Sequence, residues 1–125
     1  MERNRGMYGG RCHCGSVRWS VDDLPERAIA CNCSICRRLG ALWGFSTRAA
    51  VQLTVESPVI RYRWGDGLID FCSCSRCGTT THYESTDPAP DARLAVNLNT
   101  LDDRNALTAI QVRHFDGAES WTFTD

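Results

Sequence analysis

The segment Cys31-Asn32-Cys33-Ser34-Ile35-Cys36 carries three thiols in six residues, a density that a chain in a reducing compartment uses mainly to hold a soft metal ion. On an extended segment residues two apart point the same way, so Cys31 and Cys33 present both sulfurs on one face. The third thiol, Cys36, comes from the turn that follows. Zinc takes thiolates at about 2.3 Å in a tetrahedron; structural sites fill all four positions with protein ligands, while catalytic sites leave one for water or substrate. Three local thiols therefore leave one position to be accounted for.

The other cysteines bear on that position. Cys12 and Cys14 form a second CxC pair, and Cys74-Ser75-Arg76-Cys77-Gly78 forms a CxxCG turn. Together Cys12, Cys14, Cys74 and Cys77 make a closed four-sulfur structural zinc site, which leaves Cys31, Cys33 and Cys36 as a second site with an open position. Cys72 and His82 are candidates for a fourth ligand there. For Cys72, which shares a strand face with Cys74, a buried apolar thiol is the preferred reading, and His82 reads as a partly exposed strand histidine. His13 alternates away from the Cys12/Cys14 face.

Outward from the cysteines the chain reads as mainly β. Gly9 to Val21 is a hairpin whose second strand buries Val17, Trp19 and Val21 on one face. Asp22-Asp23-Leu24-Pro25 connects it to a short strand over Arg27–Ala30. Ser34 is placed to cap a short helix through Leu39, closed by Gly40 in a left-handed conformation; Cys36 in its first turn, beside Arg37 and Arg38, is expected to favour the thiolate. Further strands are expected over 41–47, 51–55 and 59–64, the last joined through Gly65-Asp66-Gly67 to a strand over 68–74. The sheet resumes over 79–84, 93–98, 109–115 and 121–123, with a turn or short helix capped near Asp102 and Asp103. Trp43 and Phe45 are expected in the core or, as the less favoured reading, in a pocket wall.

At 125 residues the chain suits one domain over 8–125 after a flexible tail over 1–7. In so small a domain a structural zinc, worth about 10–16 kcal/mol in peptides, rivals the whole folding stability of roughly 5–15 kcal/mol. The net charge of -1 and pI near 6.3 give no electrostatic basis for binding nucleic acid or an anionic membrane. All 14 basic residues are arginine, which excludes a lysine Schiff base or P-loop lysine. No signal-peptide core or run of about 18 apolar residues is present, so the expected location is cytoplasmic.

Three motifs in order, Gly10-x-Cys12-x-Cys14-Gly15-x-Val17, Cys31-x-Cys33-Ser34-x-Cys36-Arg37-Arg38-x-Gly40 and Cys74-x-x-Cys77-Gly78-Thr79, resemble the glutathione-dependent formaldehyde-activating enzyme family, also called the Gfa or centromere protein V domain. Asn99-Thr100-Leu101-Asp102-Asp103, His114 and Trp121 fit its later pattern, while Ser73 stands where the family usually has an aromatic. The resemblance implies a β-tent zinc fold of twisted antiparallel sheets with one short helix, and two zinc ions per chain, one structural and one catalytic at Cys31, Cys33 and Cys36. It implies addition of glutathione to formaldehyde to give S-hydroxymethylglutathione, a carbon–sulfur lyase reaction in reverse. The expected partners are thus a small-molecule thiol and aldehyde, with Arg37 and Arg38 as candidates for pairing with glutathione carboxylates. The alternative is a non-catalytic zinc-binding interaction domain. A methionine sulfoxide reductase ranks lower, since it would need two CxxC pairs.

Overall fold

The computed structural model describes residues 7–125, so the expected tail over 1–7 lies, up to residue 6, outside the described residues. Among the described residues eleven strands form two sheets. The smaller has the order β1(Tyr8–Arg11), β2(Val17–Val21), β5(Gln52–Val55). The larger runs β11(Thr122–Phe123), β10(Gln111–Asp116), β3(Arg27–Cys31), β4(Trp43–Thr47), β9(Arg93–Asn97), β8(Thr80–Ser85), β7(Ile69–Cys74), β6(Val59–Arg63). Two short helices, α1(Ser34–Leu39) and α2(Arg104–Thr108), complete the mainly β architecture.

Both expected hairpins form. β1 and β2 pair antiparallel from Tyr8 opposite Val21 to Arg11 opposite Arg18, and Val17, Trp19 and Val21 are buried as their alternation requires. The β6–β7 hairpin turns through Gly65 and Gly67, both at positive φ. The sheets are not wholly antiparallel, however: β10 runs parallel to β3, with Phe115 opposite Cys31. Such a pair needs a long crossover, and the connection between them threads through most of the molecule.

The two faces of the large sheet have different tasks. On one, Trp43, Phe71 and Tyr83 pack together with Cys36 and Ala95, Trp43 and Tyr83 meeting edge to face with ring centroids 4.8 Å apart. On the other, Leu94, Val96 and Leu98 pack against Trp19, Val21 and Val51 of the small sheet side. Trp43 is core as expected. Phe45 is half exposed and lies under the Arg93 guanidinium, 4.2 Å from its ring centroid. Asp103 caps α2 by accepting from the Asn105 and Ala106 N–H groups, whereas Asp102 pairs with Arg11 at 3.4 Å.

Candidate metal centres

The first cysteine group lies at the seam of the two sheets. Cys12 and Cys14 come from the β1–β2 connection, Cys74 from the end of β7, and Cys77 from the turn into β8. All four Sγ atoms lie within 4.8 Å of one another, and Cys14 Sγ is 3.7 Å from both Cys12 Sγ and Cys74 Sγ. A tetrahedron with zinc–sulfur bonds of about 2.3 Å has edges of about 3.8 Å, so the donor set and its spacing fit zinc.

The surroundings suit thiolates. Val17 N–H donates to Cys12 Sγ and Arg76 N–H to Cys74 Sγ, each at 3.3 Å. Ser16 Oγ sits 3.1 Å from Cys14 Sγ, 3.3 Å from Cys74 Sγ and 2.7 Å from Ser57 Oγ. The Ser16 hydroxyl, with the Cys77 and Arg76 N–H groups, holds the Cys74 thiol down at about 5. The Thr79 hydroxyl and N–H hold Cys77 at about 6. Burial pushes Cys12 the other way.

The second group is Cys31 at the end of β3, Cys33 and Cys36, again with all Sγ atoms within 4.8 Å. Among the described residues no fourth cysteine, histidine or carboxylate joins it. Helix α1 starts one position earlier in function than the sequence suggests. Cys33, not Ser34, is its N-cap, its sulfur accepting from the Cys36 N–H at 3.4 Å, and Gly40 closes the helix at φ 65. A sulfur can replace the usual hydroxyl cap because it sits at the same distance along the side chain.

That arrangement redistributes the charge. Burial pushes the Cys36 thiol up to about 12, against the expectation that the helix start and the arginines would lower it. Cys33 is the thiol held below its ordinary range: burial opposes this, but the Cys36 N–H and the neighbouring thiols outweigh it. Arg37 and Arg38 are both exposed, and Arg38 donates back to Ser34 O at 2.9 Å.

The two candidate fourth ligands belong elsewhere. Cys72 and His82 face each other across β7 and β8, where they join Glu84 in a third, buried group. His82 is only 1% exposed, contrary to its reading as a partly exposed residue; a bulge after Cys72 leaves Thr81 as an extra residue, and the Thr81 hydroxyl lies 2.8 Å from His82 Nδ1. Cys72 is fully buried as expected, but beside charges: Arg61 Nη1 is 3.6 Å from its sulfur and Arg61 Nη2 is 3.0 Å from Glu84 Oε2, with Arg48 on the other Glu84 oxygen. Two cations already match the one carboxylate, so this group is an ion-pair network and offers a divalent metal a poor electrostatic environment.

Two features beside the second group had no sequence signal. Asn32, inside the cysteine motif, bonds through its side chain to Asp116 and Ala118. Gly117 packs against the thiols so closely that an added Cβ would stand 2.7 Å from Cys31 Sγ.

A crystal structure of a Rhodobacter sphaeroides protein, determined as a structural-genomics target, is similar to this one with a TM-score of 0.65 and 25% sequence identity, covering 83% of this chain and 98% of that one. No curated protein matches. The profile of the glutathione-dependent formaldehyde-activating enzymes matches residues 7–116, a span that contains both cysteine groups, and the chain belongs to that family.

Proposed function

We propose that this protein adds a thiol to a small aldehyde, in the manner its family name describes for glutathione and formaldehyde, and that the reaction takes place at Cys31, Cys33 and Cys36. The observation that supports it is the contrast between the two groups: four thiols at tetrahedral spacing in one, and three without a fourth protein ligand in the other.

In R–SH + CH2O → R–S–CH2–OH the carbon–sulfur bond forms as the carbonyl π bond opens, and the thiol proton ends on the new hydroxyl. Cys31, Cys33 and Cys36 would hold a zinc ion, which when bound would favour the deprotonated form of an incoming thiol. Cys33 enters as thiolate most readily, being the member with the lowered thiol pKa. The Trp43, Phe71 and Tyr83 rings behind Cys36 exclude water from the buried side of the group. Arg37 and Arg38, exposed on α1, are available to carboxylates of a substrate such as glutathione. The four-thiol group takes the structural zinc, and the reducing cytoplasm is the compartment that keeps these thiols free.

The test is zinc content per chain, followed on the same sample by the rate of thiol loss when formaldehyde is added to glutathione. Two zinc ions and accelerated loss support the proposal, with Cys33→Ser abolishing turnover while one zinc stays bound. One zinc and the uncatalysed rate would leave a metal-binding module without this activity.

A further inference from the structure

The turn over 117–121, between β10 and β11, lies against the three-thiol group and is held there from inside the cysteine motif. Asn32 Nδ2 donates to Asp116 Oδ1 at 3.1 Å, and Asn32 Oδ1 accepts from the Ala118 N–H at 3.0 Å. The Asn32 backbone N–H donates to Phe115 O at 3.2 Å. Asp116 also accepts from the Glu119 N–H at 3.2 Å, the Ser120 N–H at 3.1 Å and Ser120 Oγ at 2.9 Å, which folds the turn upon itself. An ordinary spacer residue between two metal-ligating cysteines needs none of these bonds.

The turn delivers Trp121. Its N–H donates to Asp116 O at 2.7 Å, and it has φ 59, the one positive value at a non-glycine position among the described residues. That conformation is costly for a bulky side chain, and such strain collects where the surroundings fix a residue for a task. A Cβ on Gly117 would stand 2.7 Å from Cys31 Sγ and 3.6 Å from the Trp121 ring, so little more than the thickness of one backbone separates indole from sulfur. Yet Trp121 is 71% exposed. It meets Phe115 edge to face at 5.1 Å, and Phe115 meets Phe123 at 5.0 Å, giving an aromatic shelf beside the thiols. The nearby cation, Arg113, is engaged: it pairs with Asp125 at 2.9 Å and lies 4.3 Å over the Phe123 ring.

We propose that Trp121 is the specificity-determining wall of the Cys31/Cys33/Cys36 centre, packing against an apolar part of the substrate, and that Asn32 is the positioning residue that holds this wall in place. The inference rests on the reading of the three-thiol group as the reacting centre. The shelf offers ring faces and edges, so what it selects is the carbon skeleton of the thiol or aldehyde, with alkyl or aryl substituents favoured.

The test uses the zinc-reconstituted full chain with formaldehyde and with benzaldehyde as the larger aldehyde. Trp121→Ala is expected to raise the KM for benzaldehyde about tenfold, with kcat and the formaldehyde KM within about twofold and zinc content unchanged. Asn32→Ala, with Trp121 intact, is expected to reproduce that selective rise. Asn32→Asp keeps an acceptor for the Ala118 N–H but loses the donor to Asp116, and should give a rise at least as large as Asn32→Ala. An unchanged benzaldehyde KM in Trp121→Ala overturns the proposal, as does an Asn32→Ala protein that is only less heat-stable. If the parent protein shows no turnover at all, the proposed reaction fails, and binding of benzyl mercaptan followed by calorimetry decides the wall separately: an affinity about tenfold lower in Trp121→Ala supports it, and an unchanged affinity refutes it.

Discussion

The Trp43 indole N–H points at the sulfur of Cys36, 3.3 Å away, with both side chains buried. It is a directional bond to the most deeply buried thiol of the three-thiol group, and it opposes the burial that pushes that thiol up to about 12. Trp43→Phe keeps a ring in the cluster with Phe71 and Tyr83 but removes the donor. Bonds to charged acceptors contribute about 1.5–3 kcal/mol, so the second zinc should bind roughly ten- to a hundredfold more weakly while the first is unaffected. Chelator competition, read as two separate phases of zinc release, measures this.

The two groups should also differ in their dependence on pH. A metal displaces a proton only from a thiol whose pKa lies above the ambient pH, and affinity then falls about tenfold per such proton per unit of acidification. In the four-thiol group burial raises Cys12, but Cys74 at about 5 and Cys77 at about 6 are already ionised at neutral pH; in the three-thiol group only Cys33 is lowered, while burial raises both Cys31 and Cys36, the latter to about 12. Lowering the pH from about 8 to 6 should therefore strip the three-thiol group first. Zinc retained after buffer exchange across that range checks the order, and loss from the four-thiol group first would contradict it.

Cys12→Ser and Cys33→Ser should diverge in stability. Cys12 belongs to the group that ties the β1–β2 connection to the end of β7 and the turn after it, and with it the small sheet to the large one. Losing that metal removes a contribution on the scale of the whole folding stability, so Cys12→Ser is expected to be largely unfolded at room temperature by circular dichroism. Cys33→Ser keeps a hydroxyl that can cap α1 and leaves the four-thiol group intact, so it should keep a cooperative transition and lose only the stabilisation that a second bound zinc adds.

Spacing alone made both thiol groups legible, because ligand geometry is local: CxC aims two sulfurs one way, and CxxCG folds two more into a turn. Alternation likewise located Val17, Trp19 and Val21 in the core. What stayed hidden depends on partners far along the chain. Asn32 looks like a spacer until β10 is laid parallel to β3 and brings Asp116 and Ala118 beside it. His82 follows a run of threonines that suggests an exposed strand, and only the bulge and the ion pairs of Glu84 explain its burial. Cys33 caps α1 in place of Ser34, a role for which a cysteine carries no sequence signal.

Glu84 is the keystone of the polar network on β8. His82, then Arg48 and Arg61, hold its carboxyl well below the ordinary carboxylate value of 4.5. A carboxyl whose folded pKa is depressed contributes stability above its unfolded pKa and loses that contribution as the pH falls below it. Glu84→Gln should accordingly destabilise the protein by about 1–3 kcal/mol at pH 7, less than for a fully buried pair because both arginines are partly exposed. The deficit relative to the parent should shrink progressively below pH 4.5. Denaturant titrations at neutral and acidic pH test this, and a deficit that grows on acidification would be the opposite sign.

Gly117 is where the aromatic turn and the thiols come closest, and its substitution separates their geometry from their chemistry. A methyl group there would meet Cys31 Sγ at 2.7 Å and Cys33 Cβ at 3.3 Å. The first contact is shorter than any real Cβ tolerates, and neither atom is the free end of a long side chain that can swing aside. Either the turn lifts, carrying Trp121 with it, or Cys31 shifts within its group. Both outcomes leave the four-thiol group untouched, since its ligands come from the β1–β2 connection, the end of β7 and the turn into β8. Gly117→Ala should therefore retain one zinc and a cooperative fold, release the second zinc at least about tenfold faster to a chelator, and lower thiol-addition turnover in parallel. Gly117→Ala with unaltered zinc release would show that the turn is free to move away from Cys31 at little cost, which the bonds from Asn32 argue against.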